Sequence, residues 1–407
     1  MRNIVFYSPH FGENILRFVR PLLALQNIRL IGLGQDPTSY VRSLNCFDDF
    51  FQVYNAMDEK QLTRALSDIT KKYGQVDSIL NILENVQTLL GRLREKFGIE
   101  GLDEPTADKF RDKAVMKDIF RANGILCANH KKVASPEQAI EFITQNGFPV
   151  IWKPVKGAGC ENTFLIYNST QFHEMLTTVP LNNQNLVILE EYIEGEEGTF
   201  DALVLNGKIV FHAISQYFPP PLDAMLNPWI QTICMFDKNM DSPENDEIKF
   251  IGAKTVDAFQ VETSMIHMEW FRSKKTGRIY VGEIAARPAG GSIIDVFNFG
   301  HDINLFSAWG KLMVDKECNL SSVRKFNSGS AALRAQGAGS RIAGISGMNL
   351  TEHRLGNLIV GRKMPRFGMP KSTSYIGDAS LFCRGDNYSE VFQGLRFATE
   401  AIQIHCE

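Results

Sequence analysis

The chain of 407 residues lacks several signatures that would place it in familiar functional classes. Its seven cysteines are scattered singly without a CxxC pair, which predicts reduced thiols in a cytosolic protein. The eight histidines show no HExxH or similar spacing, so the sequence argues against a zinc site. A formal net charge of -3 provides no overall basic surface for nucleic acid.

Long apolar runs and the common nucleotide-loop motifs are missing as well. No apolar run reaches the roughly 18 residues that span a bilayer, and the first short run predicts a strand, not a signal peptide. We therefore expect a cytoplasmic protein without a membrane partner. No GxGxxG follows the first strand and no GxxxxGK(S/T) is found, so neither the dinucleotide fingerprint nor the Walker loop is present.

The distribution of apolar runs predicts several domains. A composition of 44% hydrophobic and 22% charged residues suits about two to four globular domains. In residues 1–104, short β-rich runs alternate with helical repeats, an order that predicts a parallel α/β sheet. From about residue 319, short runs rich in Gly and Pro predict a small β-rich C-terminal domain.

Residues 105–124 are predicted to form one helix that Gly124 ends. Its lysines Lys109, Lys113 and Lys117 are spaced four residues apart and therefore share one face. Such a stripe is usually a solvated helix face, and that is the expectation from spacing alone.

The strongest chemical signal is a predicted hairpin within residues 266–291. If the hairpin turns about Thr276, Glu269 lies directly opposite Glu283. Facing carboxylates among apolar neighbours are unfavourable unless a positive group lies between them. The candidates are a divalent cation and the guanidinium of Arg287, and the structural alternative is a surface hairpin with two solvated glutamates.

A second signal combines an unusual lysine with a glycine-containing loop. Lys153 lies in the apolar strand-like run 149–154, where an ammonium group is costly to bury without an anion. The loop 155–163 follows at once and contains Gly157 and Gly159. A strand, a glycine loop and a nearby lysine together predict a phosphate cradle made of backbone N–H groups.

Taken in order along the chain, these features resemble the ATP-grasp superfamily, and within it the carboxylate–amine ligases such as the L-amino-acid ligases. The motifs that carry the resemblance are Asp112-Lys113, Lys153 before the glycine loop, LEEYIEGEE at 189–197, Glu269, and Glu283-x3-Arg287. The resemblance covers the whole chain and implies a mixed α/β and α+β fold in three parts. These parts are an α/β pre-grasp domain at 1–104, a grasp domain at 105–318 with a small lid at about 124–191, and a β-rich domain at 319–407.

The resemblance also implies where ATP would bind. Lys113 and Lys153 would reach the phosphates, the glycine loop would cover them, the hinge backbone would meet the adenine edge, and Glu197 would bind the ribose hydroxyls. The implied nucleotide-binding residues are Lys113, Lys153, Gly157, Gly159, Cys160, Glu190, Glu191, Tyr192, Ile193 and Glu197.

The implied catalytic centre contains metal ligands and cations. Glu269 and Glu283 resemble the ligands of one or two magnesium ions. Arg287 resembles the arginine that binds the transferred phosphate, and Lys153 is the second residue implied in catalysis. Ala285 stands where many members of the superfamily have an asparagine ligand, so the second magnesium is left open. Cys160 stands where serine is frequent, which weakens a side-chain role for that position.

The implied function is an ATP-dependent ligase that joins a carboxylate, such as an amino acid or small acid, to an amine through an acyl phosphate. Its implied partners are these small molecules, not nucleic acid, and family members are often dimers. Candidate substrate contacts are Tyr217, Trp229, His267 and Arg334, the last of which could instead form a structural salt bridge. The proline-rich segment 216–229 is predicted to be an irregular loop, either a binding loop or a packed surface loop.

Two other functions remain as alternatives. One is a nucleotide-binding regulatory protein that kept the fold and lost turnover, which the presence of the implied catalytic residues disfavours. The other is a purine-pathway type of ligase acting on phosphorylated ribosyl substrates. The lack of an obvious additional phosphate-binding loop in residues 1–104 disfavours the second alternative.

Overall fold

The structure is a computed structural model that describes residues 1–157 and 159–407. Ala158, which belongs to the predicted phosphate loop, lies outside the described residues. No helix in the described part of the chain is long and apolar enough to cross a membrane.

The N-terminal unit contains a parallel sheet, as predicted. Its four strands lie in the order β3-β2-β1-β4. Along β1, Ile4 and Phe6 pack into one apolar core while Val5 and Tyr7 pack into another. Both faces of the sheet are therefore covered, as is usual for parallel strands. Its elements are β1 (Arg2–Tyr7), α1 (Glu13–Val19), β2 (Ile28–Gly34), α2 (Thr38–Ser43), β3 (Asp49–Gln52), α3 (Glu59–Tyr73), β4 (Ser78–Leu80) and α4 (Gln87–Phe97).

A small antiparallel sheet in the order β5-β8-β6-β7 follows, in the region assigned to the lid. Phe142 of α7, Trp152 of β6 and Phe172 of α8 are buried together in its own apolar core. The elements are α5 (Glu104–Lys109), α6 (Lys113–Ala122), β5 (His130–Val133), α7 (Pro136–Asn146), β6 (Val150–Pro154), β7 (Phe164–Ile166), α8 (Ser169–Thr178) and β8 (Val187–Glu191).

The single helix predicted over residues 105–124 is wrong, because the chain breaks between α5 and α6. The carboxylate of Asp112 accepts hydrogen bonds from the backbone N–H groups of Ala114 at 3.0 Å and Val115 at 3.2 Å. Asp112 is therefore the N-cap of a new helix, and this local cap starts α6 with Lys113 as its first residue.

The largest sheet has eight strands in the order β13-β12-β9-β10-β11-β14-β17-β16. Strands β14, β17 and β16 come from beyond residue 319, so that domain boundary does not separate two sheets. The elements up to that boundary are β9 (Gly195–Leu205), β10 (Lys208–Phe218), α9 (Pro221–Leu226), β11 (Thr232–Phe236), α10 (Pro243–Phe259), β12 (Ser264–Ser273), β13 (Ile279–Ala285), α11 (Ile293–His301) and α12 (Leu305–Asp315). The remaining elements are β14 (Asn327–Leu333), β15 (Ile342–Ser346), α13 (Met348–Leu355), β16 (Ile359–Lys363), β17 (Ala379–Gly385), α14 (Tyr388–Ala401) and β18 (Gln403–Cys406).

The β12–β13 hairpin confirms the predicted register. Glu269 lies directly opposite Glu283, and the turn contains Gly277 with a φ of 69°. A bulge between Glu269 and Trp270 shifts the pairing closer to the turn. Glycine adopts this left-handed backbone at little cost, which allows the tight connection between the two strands.

Candidate active site

A cavity of about 1040 Å³, including its open mouth, is lined by the lid sheet, α6, α9, the edge strand β13 and its neighbour β12. We call it the nucleotide cavity. Three lysines line it, namely Lys113, Lys117 and Lys153, together with Glu190, Glu269 and Glu283. Lys113 and Lys117 come from α6, Lys153 from β6, and the glutamates from β8, β12 and β13.

Five of these side chains form a row of alternating charges. Lys113 Nζ lies 3.3 Å from Glu283 Oε2, and Lys153 Nζ lies 3.0 Å from Glu283 Oε1. Lys153 Nζ also lies 3.1 Å from Glu190 Oε1. Lys117 Nζ lies 3.3 Å from Glu190 Oε2. Each buried charge thus has an opposite charge beside it, which a buried ion pair requires.

The row favours the ionised forms of its two glutamates and of Lys153. Burial by itself raises the pKa of Glu283, but Lys113 and Lys153 outweigh it and hold the pKa below its usual range. Burial opposes the ionised form of Glu190 too, and Lys117 and Lys153 again lower its pKa. For Lys153, burial lowers the pKa, but the two glutamates outweigh that effect and raise it. Lys153 is therefore positively charged and can contact an anionic ligand.

The expectation that the lysine stripe faces solvent is wrong for two of its members. Lys113 is 5% exposed and Lys117 is 1% exposed. Lys117 also donates a hydrogen bond to the Gly282 carbonyl oxygen at 3.1 Å. Sequence reasoning missed Lys117 as a site residue. The signal was available, because a residue four positions after Lys113 on one helix must share its face.

The facing glutamates differ in their surroundings. Burial, and then the charge of Glu283, raises the pKa of Glu269. In the described part of the chain, no lysine or arginine forms an ion pair with Glu269, and its one ion-pair partner there is His267, whose Nε2 lies 3.9 Å from Glu269 Oε1. A carboxylate pair with one member lacking a cation fits a hard divalent ion. No group of three or more metal-binding side chains is found among residues 1–157 and 159–407, and Ala285 offers no ligand.

Arg287 does not lie between the two glutamates, so the hypothesis that it is their counter-charge is wrong. The cations that contact Glu283 are the lysines Lys113 and Lys153. The guanidinium of Arg287 donates from Nε at 3.0 Å and Nη2 at 2.8 Å to Glu84 Oε2. Glu84 Oε1 accepts a further bond of 2.5 Å from Arg111 Nη1.

Sequence reasoning also missed Glu84 and Arg111. Glu84 follows β4 in the N-terminal unit and is 203 residues from Arg287 in sequence. No local motif marks such a residue, because only the packing of the N-terminal unit against the central sheet brings Glu84 to Arg287. Both arginines and Glu84 are at least half-buried, and all three line a second cavity.

This second cavity adjoins the first. The two share Gly157, Gly159, Cys160, Glu161, Glu197 and Glu269 as lining residues. They therefore meet at the glycine loop and beside the carboxylate pair. Phe18, Phe306 and Ile294 give the second cavity apolar surface, while Arg287 and His267 give it polar groups.

The other predicted nucleotide-binding residues line the nucleotide cavity. Hinge residues Glu190, Glu191, Tyr192 and Ile193 do so, as does Glu197 of β9. The side chain of Glu190, however, belongs to the charged row. In the glycine loop, the Gly157 carbonyl oxygen accepts a bond of 2.8 Å from Lys113 Nζ, and Cys160 has a φ of 59°.

Two of the four candidate substrate contacts lie in the second cavity. Tyr217 and His267 line it, and His267 Nδ1 lies 2.9 Å from Asp201 Oδ1. Trp229 is 68% exposed and lines neither cavity, so its contact with the substrate stays a prediction. Arg334 also lies outside both cavities.

Arg334 has a different environment from either one predicted. Its guanidinium donates to the carbonyl oxygens of Ala224 and, at 3.3 Å, of Asn227. No carboxylate of the described chain is paired with it. Arg334 therefore ties β14 to the end of α9, a short helix that stands where the sequence predicted an irregular loop.

Comparisons with known proteins show which proteins the chain is similar to. Residues 111–228 match the family described as "Phosphoribosylglycinamide synthetase, ATP-grasp (A) domain". The L-arginine-specific L-amino acid ligase of Bacillus subtilis is 31% identical over 255 residues, which cover 61% of this chain. The chain spans 60% of the length of that relative.

Solved structures match over the whole chain. The L-amino acid ligase from Bacillus licheniformis has a TM-score of 0.80 at 14% identity and covers 100% of this chain and 99% of its own. The N5-carboxyaminoimidazole ribonucleotide synthetase from Thermotoga maritima has a TM-score of 0.71 at 16% identity and covers 100% of both chains. The predicted fold class is therefore confirmed.

Proposed function

We propose that this chain, which belongs to the ATP-grasp superfamily, is an ATP-dependent ligase that joins a carboxylate to an amine and releases ADP and phosphate. One observation carries the proposal: the lysine-rich nucleotide cavity and the cavity that contains Arg287 meet at the glycine loop, beside the facing glutamates. Similarity to an L-arginine-specific L-amino acid ligase supports an amino acid or small acid as the carboxylate.

The nucleotide would bind with its phosphates toward Lys113 and Lys153. The side chain of Lys113 is 6% exposed and that of Lys153 is 12% exposed, and the adjacent glycine loop can cover phosphate oxygens with backbone N–H groups. The hinge residue Ile193 would meet the adenine edge. Its backbone N–H has no backbone acceptor among the described residues and is therefore available to a base. Glu197 would accept hydrogen bonds from the ribose.

Magnesium would be held by Glu269 and Glu283. When bound, the ion offsets the negative charge of the phosphoryl oxygens during transfer. We propose one ion that both carboxylates hold directly. A second ion would depend on phosphate oxygens and water for its ligands, because Ala285 supplies none.

The reaction proceeds in two balanced steps. A carboxylate oxygen of the acid attacks the γ-phosphorus of ATP, forming an acyl phosphate and releasing ADP. The amine then attacks the acyl carbon, the carbon–oxygen bond breaks, and phosphate leaves as the nitrogen loses a proton. Lys153 would contact the phosphates of ATP. Arg287 lies in the second cavity, where it would bind the transferred phosphate.

The proposed partners of the enzyme are small molecules. We propose that the acid and the amine both enter through the second cavity, and that the enzyme acts in the cytoplasm as a dimer of the kind common in this superfamily. The glycine loop would shield the acyl phosphate from water while the amine binds.

The loop after β1 disfavours a phosphorylated ribosyl substrate. Asp36 Oδ2 accepts the backbone N–H of Phe11 at 2.6 Å, and Asp36 Oδ1 lies 2.7 Å from His10 Nδ1. A carboxylate thus occupies the N–H group that a phosphate could use, and its charge would repel a phosphate.

The test is a phosphate-release screen over paired carboxylates and amines with magnesium and ATP. We expect release that requires both substrates, and a fall of about 100-fold or more in Glu283→Gln. Glu95→Gln, on an exposed face of α4, is the control and should keep full activity. Tight ATP binding without turnover across a broad panel would favour a regulatory protein, and an unchanged rate in Glu283→Gln would contradict the metal assignment.

A further inference from the structure

The helix α9 lines both cavities and places a carboxylate in the wall of one of them. Pro220, Leu222 and Asp223 line the nucleotide cavity, whereas Pro221 and Met225 line the second cavity. The middle of the segment that the sequence predicts to be an irregular loop is therefore a short helix in the wall of both cavities.

Asp223 is a half-buried carboxylate without a partner of its own. Its side chain forms no hydrogen bond or ion pair with any residue that the structure describes. Its backbone carbonyl oxygen accepts hydrogen bonds from the Asn227 backbone N–H at 3.1 Å and from Asn227 Nδ2 at 2.8 Å. Burial raises the pKa of Asp223 above its usual range, as expected for a carboxylate with unmet acceptors. Such oxygens gain most from a ligand that donates hydrogen bonds.

The surroundings of Asp223 indicate which part of a nucleotide it would meet. Asp223 lines the nucleotide cavity together with the hinge residue Tyr192 and with Glu197, the proposed ribose ligand. Burial raises the pKa of Glu197, and the charges of Glu269 and Asp223 raise it further. Neither Glu197 nor Asp223 forms an ion pair with Lys113, Lys117 or Lys153 within the described residues. Two carboxylates would repel phosphate and accept hydrogen bonds from hydroxyl groups, and ribose carries two adjacent hydroxyl groups.

The position of α9 is fixed from the C-terminal part of the chain. The Arg334 guanidinium, 6% exposed, holds the carbonyl oxygens of Ala224 and Asn227. Gln336 Nε2 donates to the Pro228 carbonyl oxygen at 3.4 Å. These bonds hold the backbone on the C-terminal side of Asp223 against the end of β14, so the carboxylate does not depend on a free loop for its placement.

We propose that Asp223 accepts a hydrogen bond from a ribose hydroxyl of the bound nucleotide and makes the site select ribonucleotides over deoxyribonucleotides. Arg334 acts as its positioning residue. This inference rests on the proposed function, because it requires that a nucleotide binds in this cavity.

The test compares the binding of ATP, 2′-deoxyATP and 3′-deoxyATP by calorimetry. We expect the wild-type protein to bind ATP at least about tenfold more tightly than at least one of the deoxy analogues. In Asp223→Ala, ATP affinity should fall to within about threefold of that analogue, whose own affinity stays unchanged. Asp68→Ala, at an exposed position of α3, is the matched control and should keep the wild-type ratio.

Arg334→Met tests the positioning role. It should reduce the ratio between ATP and the deoxy analogue as Asp223→Ala does, without changing the affinity for that analogue, provided that the thermal midpoint shows a folded protein. A wild-type ratio near one, or an unchanged ratio in Asp223→Ala, overturns the proposal while leaving the ligase function intact. Failure to bind any of the three nucleotides overturns the proposed function as well.

Discussion

Replacement of Lys117 by methionine tests the charged row of the nucleotide cavity. Lys117 is 1% exposed, and its Nζ lies 3.1 Å from the Gly282 carbonyl oxygen and 3.3 Å from Glu190 Oε2. Methionine has a similar shape and can fill the same space without a charge. The change therefore removes one ammonium and leaves Glu190 with Lys153 alone.

The expected loss of stability follows from these contacts. Removing one partner of a buried ion pair costs about 3–5 kcal/mol when the remaining charge has no other partner. Glu190 keeps Lys153 at 3.1 Å, so we expect a value near the lower limit, about 3 kcal/mol. Lys153 would also be drawn more strongly to Glu190, and ATP affinity should fall about tenfold.

The assay is chemical denaturation of the wild-type protein, Lys117→Met and the double variant Lys117→Met/Glu190→Gln, with ATP binding measured on each. The double variant should lose less stability than the two single changes together, because neither charge is then left alone. Lys109→Met, at the first lysine of the predicted stripe and at the end of α5, is the control and should change stability by less than about 0.5 kcal/mol. A loss below about 0.5 kcal/mol in Lys117→Met, with unchanged ATP affinity, would refute the reasoning.

Two further predictions concern other parts of the molecule. Glu84→Gln should lower turnover about tenfold, because Arg287 would lose the partner that positions it. The KM for ATP should stay within about twofold, because Glu84 lines the second cavity and not the nucleotide cavity. A changed KM with unchanged turnover would contradict this prediction. Burial lowers the pKa of His301 from 6.5 to about 4, so its neutral form stabilises the fold above pH 6.5, and up to about 3 kcal/mol is lost as the pH falls toward 4. His301→Phe, which removes the titrating group beside Phe211 and Phe236, should flatten the slope of unfolding free energy against pH in that window, and an unchanged slope would count against the assignment.

Those parts of the site that depend on local pattern could be predicted from the sequence. The facing of Glu269 and Glu283 follows from strand alternation and one turn, and the structure has that register. Lys153 was identified because an ammonium inside an apolar strand needs an anion, and Glu190 and Glu283 are those anions.

The errors have physical causes that local sequence patterns do not reveal. The helix predicted over residues 105–124 failed because the Asp112 cap outweighs the continuous helical pattern, which the spacing of lysines does not reveal. The predicted contact of Arg287 with the two facing glutamates was wrong because its partner, Glu84, is distant in sequence and meets it only through tertiary packing. The sequence pattern does not reveal that Arg334 donates hydrogen bonds to backbone carbonyl oxygens, because an arginine after a strand can pair with many different acceptors.

The central claim is that a carboxylate is activated as an acyl phosphate. Once the screen has identified an acid and an amine, the acid can be labelled with ¹⁸O in its carboxylate and the released phosphate examined by mass spectrometry. The account predicts that one labelled oxygen is transferred to the phosphate in each turnover, because the acyl carbon–oxygen bond breaks when the amine attacks. Phosphate that carries no label, released together with amide product, would contradict the account.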